Sequence, residues 1–145
     1  MPDDFSEIIN NLPGNGWVKA MGLVVTRATI DEVACQWQVG EQHLQGYGIV
    51  HGGVHAGVIE TLASIGAHLV ATGRGQRVVG VENHTSFIRA VRTGLLRGVA
   101  RPLTRGRTSQ AWLGEIRDEA GKLVAHGTVR LLCIPDSQPL ADERP

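Results

Sequence analysis

The chain has 145 residues, 42% hydrophobic and 19% charged, and its 14 basic side chains balance 14 acidic ones. That length fits one domain able to bury its own core, and the composition excludes a disordered or fibrous chain. No run of 18 residues is free of glycine and polar side chains, so no transmembrane helix is expected.

The start, Met1-Pro2-Asp3-Asp4, is acidic and lacks the basic and apolar regions of a signal peptide. Asp3 or Asp4 can cap a short helix through Asn11, which Pro13-Gly14-Asn15-Gly16 ends. Leu23 to Thr29 and Val33 to Val39 read as a β-hairpin turning at Asp31-Glu32. Glu41 to Val50 is a loop containing Gly46 and Gly48. Gly53 to Thr72 is the only long helical stretch, dense in small residues, and Gly73-Arg74-Gly75 stops it. Four strands follow: Val78 to Ala90, Gly94 to Thr104, Thr108 to Arg117 and Lys122 to Ile134, the last two joined by a turn at Asp118-Gly121. Residues 135–145 carry no period and read as a disordered tail. Segregated helices and strands argue for an α+β domain with an antiparallel sheet. The near-continuous apolarity of the long helix predicts that the sheet curls around it.

Cys35 and Cys133 sit alone in strand-like stretches and read as reduced core thiols of a cytoplasmic protein, a disulfide being the open alternative. The zero net charge hides an asymmetry: Arg74 to Arg107 holds eight arginines and one acid, Glu82. Arginine forks suit phosphate oxygens. The aromatic platforms that bind single-stranded nucleic acid are missing from this half, so a phosphorylated small molecule fits the charge better. Neither nucleic acid nor membrane is an expected partner.

The densest chemical signal runs from Gln45 through His51-Gly52-Gly53 to Glu60. Glu60 is the only carboxylate between His51 and Val81. An unpaired acid buried in so apolar a run costs several kcal/mol, so its presence needs a reason. Two glycines at a helix start leave backbone N–H groups open to a ligand oxygen, at the positive end of the helix dipole. Gln45 and His51 add side-chain donors. Together these residues offer an oxyanion cluster, with an acid farther along to attack a carbonyl or activate water.

This pattern resembles the hotdog-fold acyl-CoA thioesterases, in the branch of the phenylacetate-pathway, Arthrobacter-type 4-hydroxybenzoyl-CoA and 1,4-dihydroxy-2-naphthoyl-CoA enzymes. The resemblance covers about residues 17–134, which would form the thioesterase domain after an N-terminal helix and linker over 1–16. It also includes Val78-Val79-Gly80-Val81-Glu82, Phe87-Ile88-Arg89-Ala90 and Arg105-Gly106-Arg107-Thr108-Ser109. It implies a hotdog fold, with a curled antiparallel sheet wrapped around one long central helix. It also implies Glu60 as nucleophile or general base, and Gly52 N–H, assisted by Gln45 and His51, on the thioester oxygen. Ser64, one turn beyond Glu60, would position the carboxylate or water. Gly53, Val81, Phe87, Arg89, Arg105, Gly106, Arg107, Thr108 and Ser109 would line the acyl-CoA or aroyl-CoA substrate. No cofactor is implied, because CoA is part of the substrate. Self-association as a dimer or a dimer of dimers (a homotetramer) is implied, with Glu60 and the His51-Gly52-Gly53 end contributed by different subunits. One departure stands out: many members carry Asn before the Phe, where this chain has Ser86.

Three rival readings compete with this one. A non-catalytic acyl-CoA binding module would keep the arginine turn and not need Glu60. A hydratase or dehydratase would need a second positioned acid, which the sequence does not offer. His51 and His55 have metal-ligand spacing, but His51 lies outside regular helix and a third ligand is not obvious, so no metal is expected. Asn83-His84-Thr85 fits a glycosylation sequon, which carries no weight without a signal peptide.

Overall fold

The computed structural model describes residues 3–141. Two short helices, α1 (Ser6–Asn10) and α2 (Gly16–Ala20), precede the hairpin β1 (Val24–Ala28) and β2 (Val33–Gln38). A loop with a 3-10 turn at Glu41–His43 leads into α3 (Gly52–Thr72), followed by β3 (Gln76–Phe87), β4 (Leu95–Arg105), β5 (Ser109–Arg117) and β6 (Leu123–Pro135). The expected elements are present with ends shifted by at most three residues, most at the end of β3, and α2 is the helix that the sequence does not signal.

All six strands form one sheet in the order β1-β2-β4-β5-β6-β3, and every neighbouring pair is antiparallel. The expected curled sheet wrapped around the helix is corrected here. The sheet is open, ending at β1 on one side and β3 on the other, and α3 packs on one face of it. Val54, Val58, Ile59, Leu62, Ala63, Gly66, Ala67 and Val70 are buried, whereas Glu60, Thr61, Ser64, Ile65, His68 and Leu69 are half-buried or exposed. The helix reads as near-continuously apolar because its outer stripe mixes Ile65 and Leu69 with small and uncharged polar residues and carries one carboxylate, and that stripe faces a groove under α1 and α2. By length and composition α3 could cross a membrane, yet here it is the core helix of the sheet.

Small residues fix how closely helix and sheet approach. A Cβ on Gly66 would lie 2.3 Å from the Trp112 ring, and one on Gly114 would lie 2.8 Å from Ile59. Trp37, Trp112, Leu96, Ile116 and Leu131 complete the layer beneath α3. Trp112 Nε1–H donates to Gln110 Oε1 at 3.1 Å, and Gln110 Nε2–H donates to Ala67 O at 3.1 Å, so this buried polar group ties sheet to helix.

The N-terminal segment is bound to the β1 edge. Asn10 exchanges two hydrogen bonds with the Val25 backbone, at 2.8 and 2.9 Å, in place of a neighbouring strand. Asp4 Oδ1 accepts from Ser6 N–H at 2.8 Å and Ala28 N–H at 3.0 Å, which holds its carboxyl below the ordinary value. Both cysteines are free. They lie on β2 and β6, separated by β4 and β5, so roughly three strand spacings of about 4.8 Å keep them from bridging. Burial pushes the Cys35 thiol up to about 12, which makes it unreactive. Of the segment read as a disordered tail, Asp136 N–H donates to Gly75 O at 3.2 Å, and residues 142–145 lie outside the described ones.

Candidate active site

The donor end of the site is built by the loop before α3. Gln45 and Ile49 are joined by a backbone bond of 2.9 Å, and Gly48 N–H returns to Gln45 O at 2.8 Å, with Gly48 at φ +71°. Only a residue without a Cβ adopts that turn freely. Gln45 Oε1 accepts from Tyr47 N–H, so the side-chain carbonyl is engaged and the amide NH2 is left as the donor. Arg92, in the connection between β3 and β4, clamps the loop by donating to Tyr47 O at 2.7 Å.

His51 is the N-cap of α3. Its Nδ1 accepts from Gly53 N–H at 2.8 Å, which places the proton of the neutral ring on Nε2. His51 N–H donates to the carbonyl of His43 at 2.8 Å. His43 is itself fully buried, accepting from Gly40 N–H at 2.9 Å and bonding Met21 O at 2.8 Å through Nε2. This strut holds the helix entry, and the sequence reading did not single it out. Gly53 N–H is thus consumed by the cap, while Gly52, the first helical residue, keeps an N–H that no helical carbonyl can accept. A Cβ on Gly52 would meet the Phe87 ring at 2.5 Å, so Phe87 closes over the helix start.

Glu60 lies two turns along, about 12 Å from Gly52 at 1.5 Å per residue. Its Oε2 accepts from Asn83 Nδ2–H at 2.9 Å, and the same amide donates to Ala56 O at 3.1 Å. Thr85 Oγ1–H donates to Asn83 Oδ1 at 2.7 Å, which fixes the amide the right way round. The other carboxylate oxygen fits over Gly80, where a Cβ would lie 2.3 Å from it. No cation bridges Glu60 among the described residues, so its charge stays available. Ser64, one turn on, is half-buried on the same helix face.

The sequence reading gives Gly80, Asn83 and Thr85 no part in holding Glu60. The reason is a β-bulge between Gly80 and Glu82: Gly80 pairs with Leu131 and Glu82 with Arg130, leaving Val81 as the extra residue. Before the bulge Val78 and Gly80 face the helix; after it Asn83 and Phe87 do. Val81, expected against substrate, is that bulge residue and is exposed on the sheet edge.

The arginines do not form one cluster. Arg89 sits near the donor end, 3.8 Å from Asp118. The Arg105 to Ser109 turn lies at the opposite end of α3, roughly 30 Å away by the helix length. There Arg74 donates to Arg105 O at 3.3 Å and Gly106 O at 3.1 Å, and Gln76 donates to Arg107 O at 3.1 Å. A Cβ on Gly106 would lie 2.7 Å from Ser109 O, so the turn is too tight for any other residue. Arg105 is committed to the hairpin turn, at 2.7 Å from Asp31 Oδ1 and 3.0 Å from Ile30 O. Arg107 and Thr108 are exposed. His51 and His55 do not converge: His51 is exposed, while His55 is buried with its ring 6.3 Å from that of Phe87. Among the described residues no group of three metal-binding side chains occurs.

A groove of about 930 Å³ runs along the outer stripe of α3 beneath α1 and α2. Glu60 and Ser64 open into it, and a Cβ on Gly57 would lie 2.5 Å from the Trp17 ring that roofs it.

The same elements recur in known proteins. The family model described as the thioesterase superfamily matches residues 47–125, which include His51-Gly52-Gly53, Glu60 and Asn83. Rv1847 of Mycobacterium tuberculosis (strain ATCC 25618 / H37Rv), named as a candidate esterase, is 43% identical over 113 residues, 77% of this chain and 81% of the relative. The proofreading thioesterase EntH of Cronobacter sakazakii is 40% identical over 116 residues, 80% of this chain and 84% of EntH. The solved structure of thioesterase HI1161 from Haemophilus influenzae superimposes with a TM-score of 0.85 at 29% identity, covering 92% of each chain. On family match, identity and fold alike, this chain belongs to the thioesterase superfamily.

Proposed function

We propose that the protein hydrolyses an acyl- or aroyl-CoA thioester to the carboxylate and free CoA, with Glu60 as its acid. Membership of a superfamily of thioester hydrolases supports the reaction class. The observation that carries the residue assignment is the Glu60 carboxylate, set into an apolar helix, oriented by Asn83 and left without a cation. In this reading Gly52 N–H and the Gln45 amide hold the thioester oxygen as it gains negative charge. Such preorganised donors are worth about 2.7–4 kcal/mol each. Glu60 either adds to the carbonyl carbon, expelling the CoA thiolate and leaving an anhydride that water cleaves, or takes a proton from the water that adds. Both routes consume one water and release one thiol. His51, with its Nε2–H free, assists at the oxyanion, and Ser64 holds the water.

Donors and acid about 12 Å apart on one helix cannot meet at one carbonyl. We therefore infer a homodimer, alone or doubled into a tetramer, in which Glu60 of one copy faces the donor loop of the other. The phosphates of CoA would fall to Arg107 and Thr108, with Arg105 shaping the turn through Asp31, and Arg89 would join them only from the other copy.

A thiol-release assay over a panel of CoA thioesters, run on wild type and Glu60→Gln, tests the reading. Release by wild type is expected, with turnover nearly abolished in a Glu60→Gln protein that still folds and binds CoA. Binding without release from any thioester favours a binding module, and wild-type kcat in the variant removes Glu60 from the chemistry.

A further inference from the structure

We propose that the groove between α3 and the α1–α2 roof is the acyl subsite, and that it takes an extended straight acyl chain rather than a compact ring. The proposal rests on the thioesterase reading, because it starts from Glu60. The groove follows a continuous stripe of α3 from Gly57 to Gly73, four turns and about 24 Å. Its volume of about 930 Å³ is near the upper end of the 300–1,000 Å³ usual for small-molecule sites, and an aromatic ring beside Glu60 would leave most of it wet.

The groove has a direction. Trp17 sits on Gly57, one turn before Glu60, and walls that end. A chain attached to a carbonyl at Glu60 therefore runs the other way, past Ser64 toward Thr72. The polar groups along that path are mostly turned aside. Thr61 Oγ1–H donates to Gly57 O at 2.8 Å, and the His68 ring lies 3.4 Å from Thr72 Oγ1. What remains is the apolar surface of Ile65 and Leu69 below and Ile8 and Leu12 above. Ile8 is 54% exposed, Leu12 50% and Trp17 41%. A contiguous apolar patch rimmed by polar groups marks a binding surface, and its continuity with Glu60 selects the acyl chain of the substrate as the occupant.

Two measurements test the proposal. The first is kcat/KM for acetyl-, hexanoyl-, decanoyl- and benzoyl-CoA, in wild type and Leu69→Trp. We expect wild type to favour decanoyl- over acetyl-CoA by at least about tenfold, since each buried methylene adds apolar contact. Leu69→Trp fills the groove beyond Glu60, so this ratio should fall about tenfold, with acetyl-CoA turnover reporting the fold. A length-independent wild type, a best rate on benzoyl-CoA, or an unchanged ratio in the variant overturns the subsite while leaving the thioesterase reading intact.

The second measurement does not depend on turnover. Trp37 and Trp112 are fully buried, so a fluorescence change on adding the non-hydrolysable thioether S-dodecyl-CoA reports Trp17. We expect a saturable change that Trp17→Phe removes and free CoA does not produce. If no thioester is hydrolysed but this change persists, the hydrolase reading fails and the chain-binding groove stands. If Trp17 is shielded from acrylamide without ligand and unaffected by the thioether, a second copy fills the groove and the proposal is overturned.

Discussion

Asn83 decides how Glu60 is held. One amide donates to the carboxylate at 2.9 Å and to the Ala56 carbonyl at 3.1 Å, and Thr85 fixes its other end at 2.7 Å. It aims the carboxylate without touching the reacting carbonyl, which makes it a positioning residue. Asn83→Leu should therefore lower kcat by about ten- to a hundredfold with little change in KM, in line with about 1.5–3 kcal/mol for a hydrogen bond to a charged group. Asn83→Gln, which keeps the amide, should recover part of the loss. Steady-state kinetics of both variants decide it: a rise in KM alone would show Asn83 contacting substrate instead. Glu60 itself was legible as a lone acid in an apolar run. Its partner was not, because strand alternation read without the Val81 bulge puts Asn83 out of phase with Gly80. Arg105 was illegible for a different reason: its partner Asp31 is 74 residues away, and no local pattern links them.

At the scale of elements, the turns and periods carried most of the information. Asp31-Glu32 and Asp118-Gly121 join the hairpins as expected, with Gly121 at φ +77°. The curl of the sheet was not legible, because an apolar helix surface looks the same whether it faces a strand or a groove. The contact of α3 with β3 also contains a titratable group that sequence alone could not place. His55 is 2% exposed, against Phe87, and its Nδ1 has no hydrogen-bond partner among the described residues. Burial lowers its pKa from 6.5 to about 4. Between those values the unfolded chain binds the proton and the folded chain does not. The stability gained by keeping His55 neutral is thus fully present above about pH 6.5 and is lost as pH falls toward 4, a decline of up to roughly 3 kcal/mol. Urea unfolding of wild type and His55→Gln at pH 7, 5.5 and 4.5 should show the variant losing less stability over that range. Parallel losses in the two proteins would show that other groups carry the acid sensitivity.

At the scale of the molecule, the two sheet edges differ. The β1 edge is covered by Asn10 and by the bond from Phe5 N–H to Ala28 O at 2.9 Å. The β3 edge is twelve residues long, with Val81 and Phe87 exposed on it. A long uncovered edge invites pairing, and a two-fold axis satisfies it with a second copy of the same strand. β3 also carries the groups that hold Glu60 and cover Gly52, so such pairing would bring the acid of one copy toward the donors of the other. Mixing two disabled proteins tests this shared site. Glu60→Gln removes the acid and Gln45→Ala removes a donor, and each homodimer should be nearly inactive. In a mixed dimer one site combines both defects, while the other joins the intact Glu60 of one copy to the intact loop of its partner. With random exchange half the dimers are mixed and each has one working site of two, so about a quarter of wild-type activity should return. Co-refolding the two variants in equal amounts and assaying thiol release against either alone is the measurement. If activity does not rise above the two parents although mass spectrometry shows mixed dimers, acid and donors act within one chain and the shared site is wrong.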